Sequence, residues 1–386
     1  MKTDPREKNA ETGEDSLRLR YQDKAYNEIY KQWRKKNQDS MGFYFLENSS
    51  KVTYQDGVGI IKDFPEVREK HALEKVFDIV GKCMLFCVLC DAFSKFLLPR
   101  ILHSMGFDIQ YDFFMDKLYG NPYLVTTLDF LTTFIPRLLV CIFLAARVRL
   151  PFKVILPMKV TNKHMFRVCV PAMLLVSGVC CLMAILTSSV FRTVQIRPDY
   201  FVTLPESVPE AIYLIVTQII VVSVVREAFC RGMMMQLIRQ FGDGFAIIVT
   251  SFIMASANYD VSKFFYSFIS AMVIGYFTLR TGSVLTAVIM KVTYLAFIYA
   301  ISFIYYNFGN VYENAVLAAF LFAVISIGLI FVIRFLYLHS DCFGMTMKNR
   351  YLPLGSKFLL VLSNVSVIMW LTGVTIITVI FTSLPA

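Results

Sequence analysis

Hydrophobic and polar positions divide the chain into one polar stretch and a series of long apolar runs. Residues 1–76 are polar, and within them "YQDKAYNEIYKQWRKK" sets Tyr26, Ile29, Tyr30 and Trp33 at spacings of three and four. That spacing predicts an amphipathic helix lying in solvent or at a membrane interface. From residue 77 onward, apolar runs long enough to span a bilayer recur at 77–98, 122–146, 166–190, 207–238, 243–259, 262–279, 282–307, 312–338 and 357–383. The pattern predicts an all-α, multi-pass transmembrane bundle of about eight or nine spans, the lower count holding if one segment is re-entrant or interfacial. Four regions follow: a polar cytoplasmic segment (1–76), N-terminal transmembrane helices (77–206), core helices (207–307) and C-terminal transmembrane helices (308–386).

Charge sharpens the topology. The 386 residues carry a formal net charge of +10, yet residues 1–76 hold 15 Lys and Arg against 14 Asp and Glu. The excess therefore sits in the loops between apolar runs, where it orients a membrane protein and does not call for nucleic acid. Arg147, Arg149, Lys153, Lys159 and Lys163 occupy one connection, Lys348 and Arg350 another, and Arg239 and Arg280 two short ones. The connections 99–121, 191–206 and 308–314 are poorer in bases. Basic loops thus alternate, which places the N-terminus in the cytoplasm and, with nine spans, the C-terminus outside. The expected location is the cytoplasmic membrane, with the lipid bilayer as first partner. The late start of the first apolar run argues against a cleaved targeting segment. Nine cysteines, mostly inside apolar runs, read as small buried hydrophobes, the stripe Cys83, Cys87 and Cys90 included. No cofactor is expected, and no set of side chains has convincing metal-ligand spacing.

The chemistry is concentrated in "SVVREAFCRGMMM", residues 223–235, where Arg226, Glu227 and Arg231 interrupt an apolar helix at a cost that calls for a partner or a role. At about 1.5 Å per residue, Arg226 and Asn258 lie roughly 20 Å, and Lys291 roughly 13 Å, from the cytoplasmic ends of their helices. Three helices thus bring polar groups to overlapping depths. Glu227 and Arg231 are four apart and can pair along one face. Asp91 and Lys95 share a face of the first span as a further pair, and Asp129 and Arg137 put charge into the second.

The order "REAFCRG", "MASAN" (254–258), "GYFTLRTGSVLTAVIM" and "KVTYL" (291–295) resembles the CPBP (CAAX protease and bacteriocin-processing, or ABI) family of intramembrane proteases, in its CAAX prenyl protease 2-like form. The family's motifs are Glu-Glu-x-x-x-Arg, Phe-x-x-x-His and His-x-x-x-Asn/Asp, and the resemblance implies a helical membrane fold in which the first Glu and both His support an attacking water. Carried over position by position, the first Glu is Arg226, the second is Glu227 and the motif Arg is Arg231. The two His positions are Asn258 and Lys291, and the last position is Leu295. Arginine is no base at accessible pH, and asparagine has no titratable proton. His71, His103, His164 and His339, the four histidines, lie outside or at the edges of these helices. The resemblance with these departures implies a catalytically inactive protease homologue, a pseudoenzyme. It would act by binding an anionic lipid, a peptide or a membrane protein through Arg226, Glu227, Asn258 and Lys291. Two rivals stay open: an active endopeptidase using Glu227, with Tyr294 or Asn258 orienting water, and a transporter using Asp129, Arg137, Glu227 and Lys291.

Overall fold

An apolar helix satisfies every backbone hydrogen bond within itself, so each of the nine apolar runs becomes helical. The computed structural model describes residues 51–55, 59–63, 65–112, 117–148, 155–193, 202, 204, 205, 207–307, 313–338 and 351–383. The amphipathic segment around Tyr26–Trp33 and the basic residues Arg149, Lys153, Lys348 and Arg350 lie outside the described residues. The order is β1 (Lys51–Gln55), β2 (Gly59–Asp63), α1 (Pro65–Phe96), α2 (Leu98–Ser104), β3 (Ile109–Asp112), β4 (Lys117–Gly120), α3 (Pro122–Val148) and α4 (Lys163–Thr193). There follow α5 (Val208–Phe241), α6 (Asp243–Ser256), α7 (Val261–Thr281), α8 (Val284–Asn307), α9 (Glu313–Leu338), α10 (Leu354–Leu362) and α11 (Val365–Ser383). The strands form two antiparallel hairpins, β1–β2 and β3–β4, which the apolar pattern does not announce. The molecule is a helical bundle. Among the described residues five helices are long and apolar enough to cross a membrane: α3, α4, α5, α8 and α9. A sixth span results if α10 and α11, bent by 72° at their junction, count as one.

The first helix begins at Pro65, twelve residues before the expected span. Proline suits a helix start, where its missing N–H has no partner to lose. The extension is held by its own buried stripe of Glu69, Ala72, Leu73 and Val76, spaced three, one and three apart. α1 packs along α11, α4 along α9 and α7, and α5 contacts both α3 and α8. Close crossings occur at glycines. A Cβ on Gly81 would meet the Ser366 backbone at 2.7 Å, and one on Gly328 the Pro171 carbonyl at 2.9 Å. Without a hydrophobic force between helices in lipid, such small-residue approaches are how helix packing is gained.

Two elements prepare the site. α5 alternates α turns with π turns at Ile215–Val221 and Ala228–Met234. Each π turn accommodates extra chain per turn and rotates the faces that follow it. α6 has 14 residues, about 21 Å, against roughly 30 Å of hydrocarbon. Its C-terminal turn, Ala257–Asp260, is therefore not carried across with the longer helices but ends beside their middles.

Candidate functional site

Arg226, Asn258 and Lys291 line one cavity. The space is narrow: about 30 Å³ is open to the centre of a water molecule, and the roughly 580 Å³ of empty space around it includes the open mouth. Arg226 comes from the last α turn before the second π turn of α5, Asn258 from the α6–α7 turn, and Lys291 from the second turn of α8. The wall between them is apolar, with Val88 from α1, Phe229 from α5, Ile253 from α6, and Trp370 and Val374 from α11.

Two further charges line the cavity, and sequence spacing did not pair them. Asp91, expected to pair with Lys95 along its own helix, reaches across to Arg137 of α3. The guanidinium approaches Asp91 as a fork, Nη1 at 3.4 Å from Oδ1 and Nη2 at 3.3 Å from Oδ2. The Tyr259 hydroxyl donates to Asp91 Oδ2 at 2.8 Å. Arg137 also donates to the Thr133 carbonyl at 3.0 Å, one turn back from Pro136, whose ring weakens the helix ladder there. The one signal for this pair was the presence of opposite charges deep in the first two spans. Tyr259 gave none, because its role rests on a turn conformation with φ of 53°.

The remaining motif positions lie beside the cavity. Glu227 and Arg231 are both fully buried, and Arg231 Nε lies 3.6 Å from Glu227 Oε2. Among the described residues neither Glu227 oxygen accepts a hydrogen bond. Arg231 donates to Thr250 Oγ1 at 2.7 Å and Ser251 Oγ at 3.5 Å on α6, and to the Ala271 carbonyl on α7. The motif arginine thus ties α5 to two neighbours. Gly275 leaves it room, since a Cβ there would stand 2.9 Å from Arg231 Nη1. The motif's Gly232 lies against the Ile155 carbonyl, with no space for a side chain between. Leu295 packs into a separate apolar cluster with Met165, Ile274 and Met290.

Among the described residues, two of the cavity's three cations, Arg226 and Lys291, have no hydrogen-bond or ion-pair partner. Among the described residues Arg226 makes no hydrogen bond or ion pair, and its Nε is buried without an acceptor. Asp91 and Asp129 are its acidic neighbours at longer range. Lys291 is 9% exposed, and its ammonium has the Tyr294 ring 4.9 Å away as its one specific contact among the described residues. Such a cation–π contact offsets only part of the cost of removing an ammonium from water. The Asn258 side chain likewise faces the cavity without a hydrogen bond among the described residues. Of the transporter set, Arg137 and Lys291 reach the cavity, while Glu227 turns to Arg231.

No curated relative and no solved structure matches the chain. Residues 208–297, the stretch that contains Arg226, Glu227, Arg231, Asn258, Lys291 and Leu295, match the family model of type II CAAX prenyl endopeptidase Rce1-like proteins, which is the family that the motif order resembles.

Proposed function

We propose that this multi-pass membrane protein is a pseudoenzyme of the CPBP type, whose former catalytic cavity binds an anionic group. The observation that carries the reading is the cavity itself: two unpartnered cations and an amide stand where the family places a carboxylate and two imidazoles. General-base activation of water needs a free basic group within hydrogen-bond reach of it. The one retained motif carboxylate, Glu227, lies beside the lining and is held by Arg231. Asp91 is in the lining, but Arg137 and Tyr259 occupy its oxygens. In this reading residues 207–307 are the functional core, completed by helices from 77–206 and from the C-terminal region 308–386. The protein sits in the cytoplasmic membrane with its N-terminus inside.

The test is proteolysis and binding together. Purified protein in nanodiscs is expected to leave prenylated and unmodified peptides uncut. Arg226→Glu alone is expected to restore nothing, because Asn258 and Lys291 still lack the imidazoles. Reproducible cleavage that disappears in Glu227→Gln or Asp91→Asn would instead establish an active endopeptidase. For binding, an added anionic amphiphile, whether phospholipid or fatty acid, is expected to raise the thermal stability of the native protein more than that of Arg226→Gln/Lys291→Met. Equal stabilisation of both would remove the anion from the reading.

A further inference from the structure

Resting on that anion-binding reading, we propose that the occupant is a single-chain amphiphile with a carboxylate head, of which a free fatty acid is the simplest case. The head is specified by Arg226, Lys291 and Asn258. A guanidinium with no acceptor offers a planar fork that matches a carboxylate through two parallel hydrogen bonds. Lys291, more than nine-tenths buried and facing the same space, adds a point charge, and the Asn258 amide a neutral donor. The charge balance calls for an anion. Arg137, Arg226 and Lys291 outnumber Asp91 and Asp129 even before Lys95, which also faces Asp129, is counted, with Glu227 and Arg231 cancelling each other. A carboxylate offsets part of that excess.

Depth selects the carboxylate over a phosphate. Arg226 lies 18 residues after Val208 and 15 before Phe241 in α5, so it stands near the middle of that helix. The phosphodiester of a bilayer lipid is charged at all ordinary pH and is held at headgroup level, because charge is costly in hydrocarbon. A carboxylic acid crosses hydrocarbon in its protonated form and binds as the ion, releasing its proton to water. The rest of the ligand is specified by the walls. Val88, Ile253, Trp370 and Val374, from three helices, supply apolar lining beside the polar end, and the acyl chain would leave the small cavity through its open mouth.

The chain has two tryptophans, Trp33 and Trp370, and Trp370 lines the cavity at 4% exposure. Trp33→Phe therefore leaves a single reporter at the site. In nanodiscs of zwitterionic lipid, dibrominated stearate is expected to quench Trp370 saturably. Unbrominated stearate should reverse the quenching and stearyl alcohol should not. Affinity should fall at least tenfold in Arg226→Gln and partly recover in Arg226→Lys. Displacement by phosphatidic acid but not by stearate would leave the anion site standing and sink the carboxylate assignment. Displacement only by an apolar peptide with a free C-terminal carboxylate would keep the carboxylate and sink the single-chain amphiphile. Quenching that never saturates, or that stearyl alcohol reverses as well as stearate does, would remove both. The competition arms use unchanged cavity residues, so they decide the matter even where Arg226→Gln fails to fold.

Discussion

Tyr259 shows how much one residue of the site depends on its surroundings. A bulky side chain at φ of 53° occupies a region that sterics leave mainly to glycine, asparagine and aspartate. It stays there because its hydroxyl bonds Asp91 and its ring is 7% exposed, so the surrounding bundle holds the strained turn in place. Tyr259→Phe removes a hydrogen bond to a charged group and is expected to cost about 1.5–3 kcal/mol, read as a lowered unfolding midpoint in detergent. A change below the error of that measurement would mean that the Arg137 fork suffices alone. Glycines offer a matched contrast. Gly232→Ala drives a methyl into the Ile155 carbonyl, so α5 and the 155–162 connection must part, at about 1–3 kcal/mol as for other overpacked sites. Gly355→Ala, inside α10 with nothing within 4 Å of the added carbon, should be neutral or stabilise by up to about 1 kcal/mol. Comparing the two melting temperatures checks both.

At the scale of elements, the start of α1, the end of α5 and the start of α10 meet in one buried polar knot. Lys357 Nζ lies 2.9 Å from Glu69 Oε1, and both side chains are fully buried. Lys357 donates to the Phe241 carbonyl at 2.6 Å. The backbone N–H groups of Tyr351 and Leu352 donate to Glu69 Oε2 at 3.0 and 2.9 Å. The knot joins residues 288 positions apart and satisfies the carbonyl left free where α5 ends. Lys357→Met leaves Glu69 charged and uncompensated, at an expected cost of about 3–5 kcal/mol. Glu69→Gln/Lys357→Met should recover part of that, because the two burials no longer oppose an unpaired charge. If the double variant is no more stable than the single, the ion pair is not the reason for the loss.

For the whole molecule, the open quantity is sidedness. With α10 and α11 crossing once as a bent span, a reporter at the C-terminus is expected to act outside the cytoplasm, and one within 147–165 inside. A C-terminal reporter active inside would mean an even number of crossings in place of the nine expected, whether because the 72° bend turns the chain back or because only the six apolar spans cross. The helices themselves were legible in the sequence, because hydropathy and backbone hydrogen bonding act within a single run. The line of motif positions was legible for the same reason, and so was the Glu227–Arg231 pair, which needs only a spacing of four. The rest was decided between helices. Asp91 meets Arg137 and Tyr259, 46 and 168 positions away, and Glu69 meets Lys357, because the bundle sets the depth and rotation of each helix. Spacing alone could not set α5 against its neighbours, so it could not say that Arg226 would line the cavity while Glu227 would lie beside it. The sequence determined which runs are helical and which helix carries each motif residue. Only packing in three dimensions decided which charges neutralise each other, and that left Arg226 and Lys291 facing a shared space without hydrogen-bond or ion-pair partners among the described residues.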